Sequence, residues 1–342
     1  MPSKASARWL SEADVTSLLD INTAIAALEH GLRLEARGEA ANMTKTHVAW
    51  SGGNLHAIGA TFTGAGIAGT KTWAYTPNGS TPLLTLFDSA SGALIAVIEA
   101  FALGQLRTAA ASGVATRRLA RPAARVLAVI GTGEQALPQA AAVVAVRPIE
   151  AVRAFGRNPE RKAAFTRRVQ DELGVPASGA DSVASAADGA DIITLATRAT
   201  EPFLRPAMAA RGAHVNAIGA ITPERAEFDP EILDRCDSIV VDSVDQTKRL
   251  SREFISYFDQ GRKPWSAVTS LSTLVAGPQH VRPETSDLTL FKAMGMGISD
   301  LSLGIECYRR ATERGLGRII PHPERAKISL SPAKTFPGGV RP

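Results

Sequence analysis

The stretch "ARVLAVIGTGEQALPQAAAVV", residues 124–144, limits what this chain can fold into more than any other. It reads as a short branched run, a glycine turn and an alanine-rich helix. Arg125 to Ile130 suit a buried parallel strand. The helix expected from Gln135 to Val146 places Pro138 in its first turn, where no intrahelical N–H bond is lost. Gly131 allows the turn, Gly133 lets backbone N–H groups approach an anion, and Ala136 lets helix and strand pack closely. The same spacing also serves an ordinary tight turn. The flanking strand and helix are what favour a dinucleotide, with its pyrophosphate held at the helix N-terminus by Gly131, Thr132, Gly133, Glu134 and Gln135.

Strand and helix go on alternating downstream, through "EAVRAFGRN", "PERKAAFTRRVQDEL", "ADIITLAT", "AHVNAIGA" and "SIVVDS". That order predicts a doubly wound parallel α/β sheet of Rossmann type. The first third of the chain has a different rhythm. Ser11 and Asp14 form a capping signal ahead of an amphipathic helix with Ile21, Ile25, Leu28 and Leu32 on one face, and residues 47–102 break into short β-rich pieces. Those pieces predict an antiparallel sheet. A helix then runs to Pro122, a natural boundary, and "SDLTLFKAMGMGISDLSLGIECYRRATERGLG" reads as a long helix that packs back on the N-terminal part. The expectation is a Rossmann domain over 122–303 beside a discontinuous α+β domain built from 1–121 and 304–342. Residues 321–342, rich in proline and basic side chains, read as an extended tail.

With 45% apolar and 21% charged residues, the composition is that of a soluble globular protein. The net charge of +5 is dispersed apart from the tail and carries no nucleic-acid-binding pattern, so it points to anionic small ligands. Cys236 and Cys307 are too few and too distant for a metal cluster and suit reduced thiols. The N-terminus has no signal-peptide core and no run suits a membrane span, so a cytoplasmic location is expected.

Seven blocks stand in order along the chain: "GTKTWAY", "LFDSASGALIAVIEA", "LRTAAASGVATRRLA", "VIGTGEQA", "AHVNAIGAITPERAEFDPEIL", "VVDS" and "LFKAMGMGISDLSLG". Together they resemble the ornithine cyclodeaminase/mu-crystallin family from about residue 10 to about residue 318. The resemblance implies a Rossmann domain beside a substrate domain whose sheets pair in a homodimer. It also implies NAD(P)-linked chemistry at the α carbon of an amino or imino acid. Under it, Lys71 and Arg107 touch the substrate carboxylate and carry catalysis, and Met294 lies on the substrate side. Thr108, Thr197, Asn216, Ala217, Ile218, Gly219 and Arg225 complete the cofactor cleft.

The residues themselves add detail. Lys71 is either an exposed strand lysine or a buried ammonium that needs an anion, and Arg107 is either half of a structural salt bridge or a fork for a carboxylate. Where the family usually has an arginine on the substrate, this chain has Lys45, expected there as a further substrate-binding cation that keeps the charge and loses the fork. His47 and His56 suit strand-surface or core positions better than catalysis. Gly156, Arg157, Asn158 and Arg161 follow the second Rossmann strand with no carboxylate to repel a 2′-phosphate. NADP(H) is therefore favoured and NAD(H) possible, unless the arginines are plain surface charges.

The resemblance departs at Ile221. Cyclodeaminases and archaeal alanine dehydrogenases of the family carry an aspartate there as general acid/base, and an aliphatic side chain moves no proton. Glu224 reads as a surface carboxylate, and no geometry in the sequence promotes Glu227. The expected function is NAD(P)H-dependent reduction of an α-imino acid that arrives as an iminium, or the reverse oxidation. Cyclodeamination and nucleotide binding without catalysis are the alternatives.

Overall fold

The alternating β pieces of the first third and the short branched strands downstream form two sheets, one mostly antiparallel and one parallel, each packed on its own core. The computed structural model describes residues 6–278, 282–283, 285–328 and 330. The first part holds β1 (Ala7–Leu10), α1 (Glu12–Leu18), α2 (Ile21–Ala36), β2 (Ala40–Asn42), β3 (Thr46–Trp50), β4 (Gly53–Phe62) and β5 (Ile67–Thr76). It continues with β6 (Gly79–Ser80), β7 (Leu83–Asp88), β8 (Leu94–Glu99) and α3 (Phe101–Leu119). The second part holds β9 (Val126–Ile130), α4 (Ala136–Val144), β10 (Ala151–Phe155), α5 (Pro159–Leu173), β11 (Ala177–Gly179), α6 (Val183–Ala187), β12 (Ile192–Leu195) and β13 (His214–Ala217). After these come β14 (Cys236–Val241), α7 (Val244–Leu250), α8 (Arg252–Phe258), β15 (Val268–Ser270), α9 (Leu271–Ala276), β16 (Leu288–Lys292), α10 (Gly297–Arg314) and β17 (Arg318–Ile320).

The first sheet runs β17-β1-β8-β7-β5-β4-β2, with β3 on β4 and β6 on β5, and is antiparallel except where β1 meets β8. Leu28, Leu32, Leu84, Leu86, Ile98 and Leu301 share the core between this sheet and helices α2, α3 and α10. Ser11 and Asp14 form the expected capping box. The single helix expected behind it is two, because Asp20 caps α2 by accepting from the Thr23 N–H at 2.7 Å.

The second sheet is parallel throughout, in the order β11-β10-β9-β12-β13-β16-β14-β15. Strands β9, β12 and β13 are almost wholly buried, as strands covered on both faces must be. Strand β16 corrects the sequence reading, which took the whole segment from Ser286 as one helix. Leu288–Lys292 is a buried strand inserted between β13 and β14, and the helix begins only at Gly297. That helix runs unbroken through residues 303 and 304 and packs on α2, α3 and β4, so a division there cuts one element. A division near residue 296 leaves it whole. Residues 321–328 and 330 have no regular structure, and the rest of the proposed tail lies outside the described residues.

The two sheets are fastened through α3. The Arg147 guanidinium donates to the last carbonyls of that helix, Thr116 at 2.9 Å, Arg117 at 2.8 Å and Ala120 at 2.8 Å. Asn216 of β13 donates to the Thr116 hydroxyl at 2.9 Å. The position of α3 matters because Arg107 and Thr108 stand on it.

Candidate active site

A cleft of about 1060 Å³ opens between the sheets, at the carboxyl ends of the parallel strands. Its cofactor half is built by the glycine turn. Gly131 has φ +109°, a conformation side chains rarely adopt, and a Cβ there would run into the Ala196 carbonyl. At Gly133 a Cβ would meet nothing within 4 Å, so the backbone presents an open edge just before the N-terminus of α4. This cradle fits a dinucleotide pyrophosphate. Thr108, Thr132, Glu134, Gln135, Arg157, Asn158, Arg161, Thr197, Ile218, Gly219 and Arg225 all line the same cleft. Asn158 is also the N-cap of α5, accepting from the Arg161 N–H at 2.8 Å, and the Thr108 hydroxyl donates to the Gly104 carbonyl at 2.8 Å.

Two residues from the sequence reading lie elsewhere. Asn216 and Ala217 are buried within β13, and Asn216 spends its amide on Thr116 and its oxygen on His214 Nε2 at 3.1 Å. They support the cleft floor without facing it.

Glu227, left without a role by the sequence, is the organiser of that floor. One carboxylate oxygen accepts from the Thr197 N–H at 2.7 Å and the Thr197 hydroxyl at 2.8 Å. The other accepts from the N–H groups of Gly219 at 2.7 Å and Ala220 at 3.0 Å. The loops after β12 and β13 are thus tied to one buried side chain. Burial pushes its carboxyl above the usual carboxylate range, opposed by the Lys292 ammonium, which itself lies 3.6 Å from Glu253. Glu224, by contrast, is exposed.

The substrate half is a face of the first sheet. In the β4–β5 pairing, Ile58 stands opposite Lys71 and His56 opposite Trp73, which brings all four to one side of the sheet. Lys71 is 4% exposed, and its Nζ lies 2.5 Å from Oδ1 of the fully buried Asp300 on α10. Arg107 Nε is 3.3 Å from the same oxygen. The sequence left Lys71 open between surface and buried readings; it is a buried ammonium with a carboxylate partner. Burial lowers its pKa to about 8 against the opposing pull of Asp300, with Arg107 and Lys45 lowering it further.

Arg107, Lys45, Trp73, Met294 and Ile221 line the cleft. Lys45 makes no ion pair with any described residue, and burial and the neighbouring Arg107 lower its pKa. Met294 and Gly295 are held by the buried Asp242, which accepts their N–H groups at 2.8 and 2.7 Å. Gly295 has φ +85°, and a Cβ there would sit 3.2 Å from Arg107 Nη1. His47, His56 and Trp73 stack across the strands, with ring centroids 5.6 and 4.8 Å apart. Neither Asp300 nor Asp242 was singled out from the sequence. The signal for Asp300 was present as an acid inside the apolar run "GISDLSLG", where a charge demands a partner.

A parallel sheet with a glycine cradle, facing a second domain that offers clustered cations, defines a two-domain nucleotide-dependent oxidoreductase. The chain belongs to the ornithine cyclodeaminase/mu-crystallin family, whose model matches residues 7–315. A Δ1-pyrroline-2-carboxylate reductase of Bacillus cereus is 34% identical over 239 residues, 70% of this chain and 73% of that protein. Among solved structures, the Thermococcus litoralis Δ1-pyrroline-2-carboxylate reductase in complex with NADH and L-proline has a TM-score of 0.86 and 27% identity, covering 92% of this chain and 100% of that one. An archaeal alanine dehydrogenase dimer with bound NAD has a TM-score of 0.85 and 28% identity, covering 92% of this chain and 99% of that one.

Proposed function

We propose that this chain reduces an α-imino acid to the amino acid with a reduced nicotinamide dinucleotide, or catalyses the reverse oxidation. The observation that carries this reading is the pair of cations, Arg107 and Lys45, lining the same cleft as the glycine cradle, with the aliphatic Ile221 also on its wall. Two cations suit a carboxylate. The sequence assigned the clamp to Lys71 and Arg107; the burial of Lys71 and its contact with Asp300 favour Arg107 and Lys45 as the direct clamp, with Lys71 just behind. Ile221 speaks against cyclodeamination, which needs a base to handle water and amine protons.

The glycine turn and the loops tied to Glu227 would hold the dinucleotide, which when bound supplies or accepts a hydride at its nicotinamide ring. Arg107 and Lys45 fix the carboxylate and so the distance and angle of the α carbon. Gly295 lets Arg107 approach the cleft wall, and Met294 gives that wall an apolar surface. NADP(H) is favoured because Arg157 and Arg161 lie exposed at the cleft edge beside Gly156, with NAD(H) also usable. A homodimer is supported by Val48, 60% exposed, Trp50, 48% exposed, and Leu55, on the face of β3 and β4 turned away from Lys71, and by the dimer described for the archaeal neighbour. No described helix is long and apolar enough to cross a membrane. Both cysteines are free, which supports a reducing, cytoplasmic setting.

The test is NADPH and NADH oxidation with a panel of cyclic imino acids, and with 2-oxo acids plus ammonia or methylamine. Consumption of nucleotide by carboxylate-bearing imines is the expected result. Release of ammonia from a diamino acid, with no imine reduced, would overturn the reading.

A further inference from the structure

If the site reduces imines, something must set the charge on the substrate nitrogen, and the sequence reading left this to an iminium formed in solution. The electrostatics of the cleft oppose that. Three cations, Lys45, Lys71 and Arg107, converge here against two buried carboxylates, Asp300 paired with Lys71 and Asp242 behind Met294 and Gly295, so a neutral imine with an anionic carboxylate is the better guest. Among the described residues, the other ionisable side chains lining the cleft stand along its cofactor half. None of its carboxylates is at the substrate end.

We propose that Lys71 is the general acid of the reaction, giving its Nζ proton to the imine nitrogen, and that Asp300 is the residue that positions it. Nζ is held at 2.5 Å by Asp300 Oδ1 and lies 5.0 Å from the ring of Trp73, itself part of the cleft wall. Arg107 shares the same carboxylate oxygen, so one buried anion sets both the proton donor and the carboxylate clamp. A reduced nicotinamide, when bound, would supply a hydride to the carbon of the C=N bond; the π pair would then move to nitrogen, which takes its proton from Nζ. The neutral lysine regains its proton from solvent. Imine, hydride and proton together make the amine, so the step balances. The groups that face Lys71 are Asp300 from α10, Arg107 from α3, Lys45 from the segment before β3, and His56 on β4 across Trp73. Burial brings the lysine to about 8, near enough to working pH to release a proton and recover it.

This inference rests on the imine-reductase reading, and its test separates the two. Wild type, Lys71→Arg and Lys71→Met are assayed with Δ1-pyrroline-2-carboxylate and with its N-methyl iminium, a permanent cation that needs no proton. With the imine, both variants are expected to lose roughly 100-fold or more in kcat. With the N-methyl iminium, the loss should be under about 3-fold for both variants. Calorimetry with pyrrole-2-carboxylate in the presence of NADPH should give Lys71→Arg a Kd within about 3-fold of wild type, because charge and clamp remain. Wild-type kcat for the imine should fall as pH rises past 8, and Asp300→Asn should move that limb to lower pH. Recovery of imine reduction in Lys71→Arg would overturn the proposal and return Lys71 to the carboxylate. A high-pH limb that persists in Lys71→Arg and is lost in His56→Phe would overturn it in favour of the histidine. If wild type reduces neither substrate, the imine-reductase reading itself fails.

Discussion

Two buried lysines face buried carboxylates in this molecule, and they do different work. Lys292, fully buried beneath the cofactor loops, lies 3.6 Å from Glu253 and beside Glu227, whose oxygens are saturated by four donors from the chain itself. Lys71 lies against Asp300, whose second oxygen finds no partner and whose first is shared with an arginine on the cleft wall. The first cluster spends the Glu227 carboxylate on the chain's own donors and holds loops in place, with only the Lys292 Nζ left without a hydrogen-bond partner. The second has Arg107 on the cleft wall, with Lys71 and Asp300 buried just behind it. A buried ion pair therefore says little about role until one asks where its remaining hydrogen-bonding capacity points.

That contrast is broken most sharply by removing one acid from each cluster. Glu227→Ala leaves four donors unpaired and Lys292 with Glu253 as its one carboxylate partner, and is expected to lose about 3 to 5 kcal/mol of stability in urea unfolding. Asp300→Asn should cost far less, because Lys71 is already poised near 8 and can turn neutral, while imine turnover falls steeply. A large stability loss at Asp300 with turnover intact would reverse the assignment of the two clusters. Next in size, Gly133→Val puts a branched side chain on the open edge of the cradle and should weaken nucleotide binding by at least 10-fold, about 1.4 kcal/mol, in a fluorescence titration with the fold unchanged. The smallest effect concerns cofactor choice. Gly156→Asp alone would press its Cβ to 2.5 Å from the Thr132 hydroxyl, so the carboxylate is best introduced together with Thr132→Ala, which removes that oxygen and leaves the Thr132 Cβ position at 3.3 Å. The pair should raise the NADH to NADPH ratio of kcat/KM several-fold, by repelling a 2′-phosphate and accepting ribose hydroxyls. An unmoved ratio would mean that Arg157 and Arg161 do not read the phosphate.

What the sequence disclosed and what it hid divide along the same line. The glycine turn, the capping box at Ser11 and the alternation of strand and helix are local patterns, and the structure reproduces them. Lys71 and Arg107 could be picked out because a charge in apolar company asks for a partner wherever it falls. The partner itself was not visible: Asp300 is 229 positions from Lys71. Glu227 acquires its meaning only when the loops after β12 and β13 converge, the Thr197 contacts reaching back 30 positions. Strand β16 was taken for helix because five buried residues in a row carry no periodicity, and its place between β13 and β14 breaks chain order. Ile221 was informative as an absence, and only beside a family resemblance.

The central claim is that the cleft recognises an imine through its carboxylate. The most direct measurement is kcat/KM for Δ1-pyrroline-2-carboxylate and for 1-pyrroline, which lacks the carboxylate, in wild type and in Arg107→Lys. Loss of the fork should remove roughly 1 to 3 kcal/mol of transition-state stabilisation from the first substrate and almost none from the second. Equal losses for both would contradict the account and leave Arg107 as a structural partner of Asp300 alone.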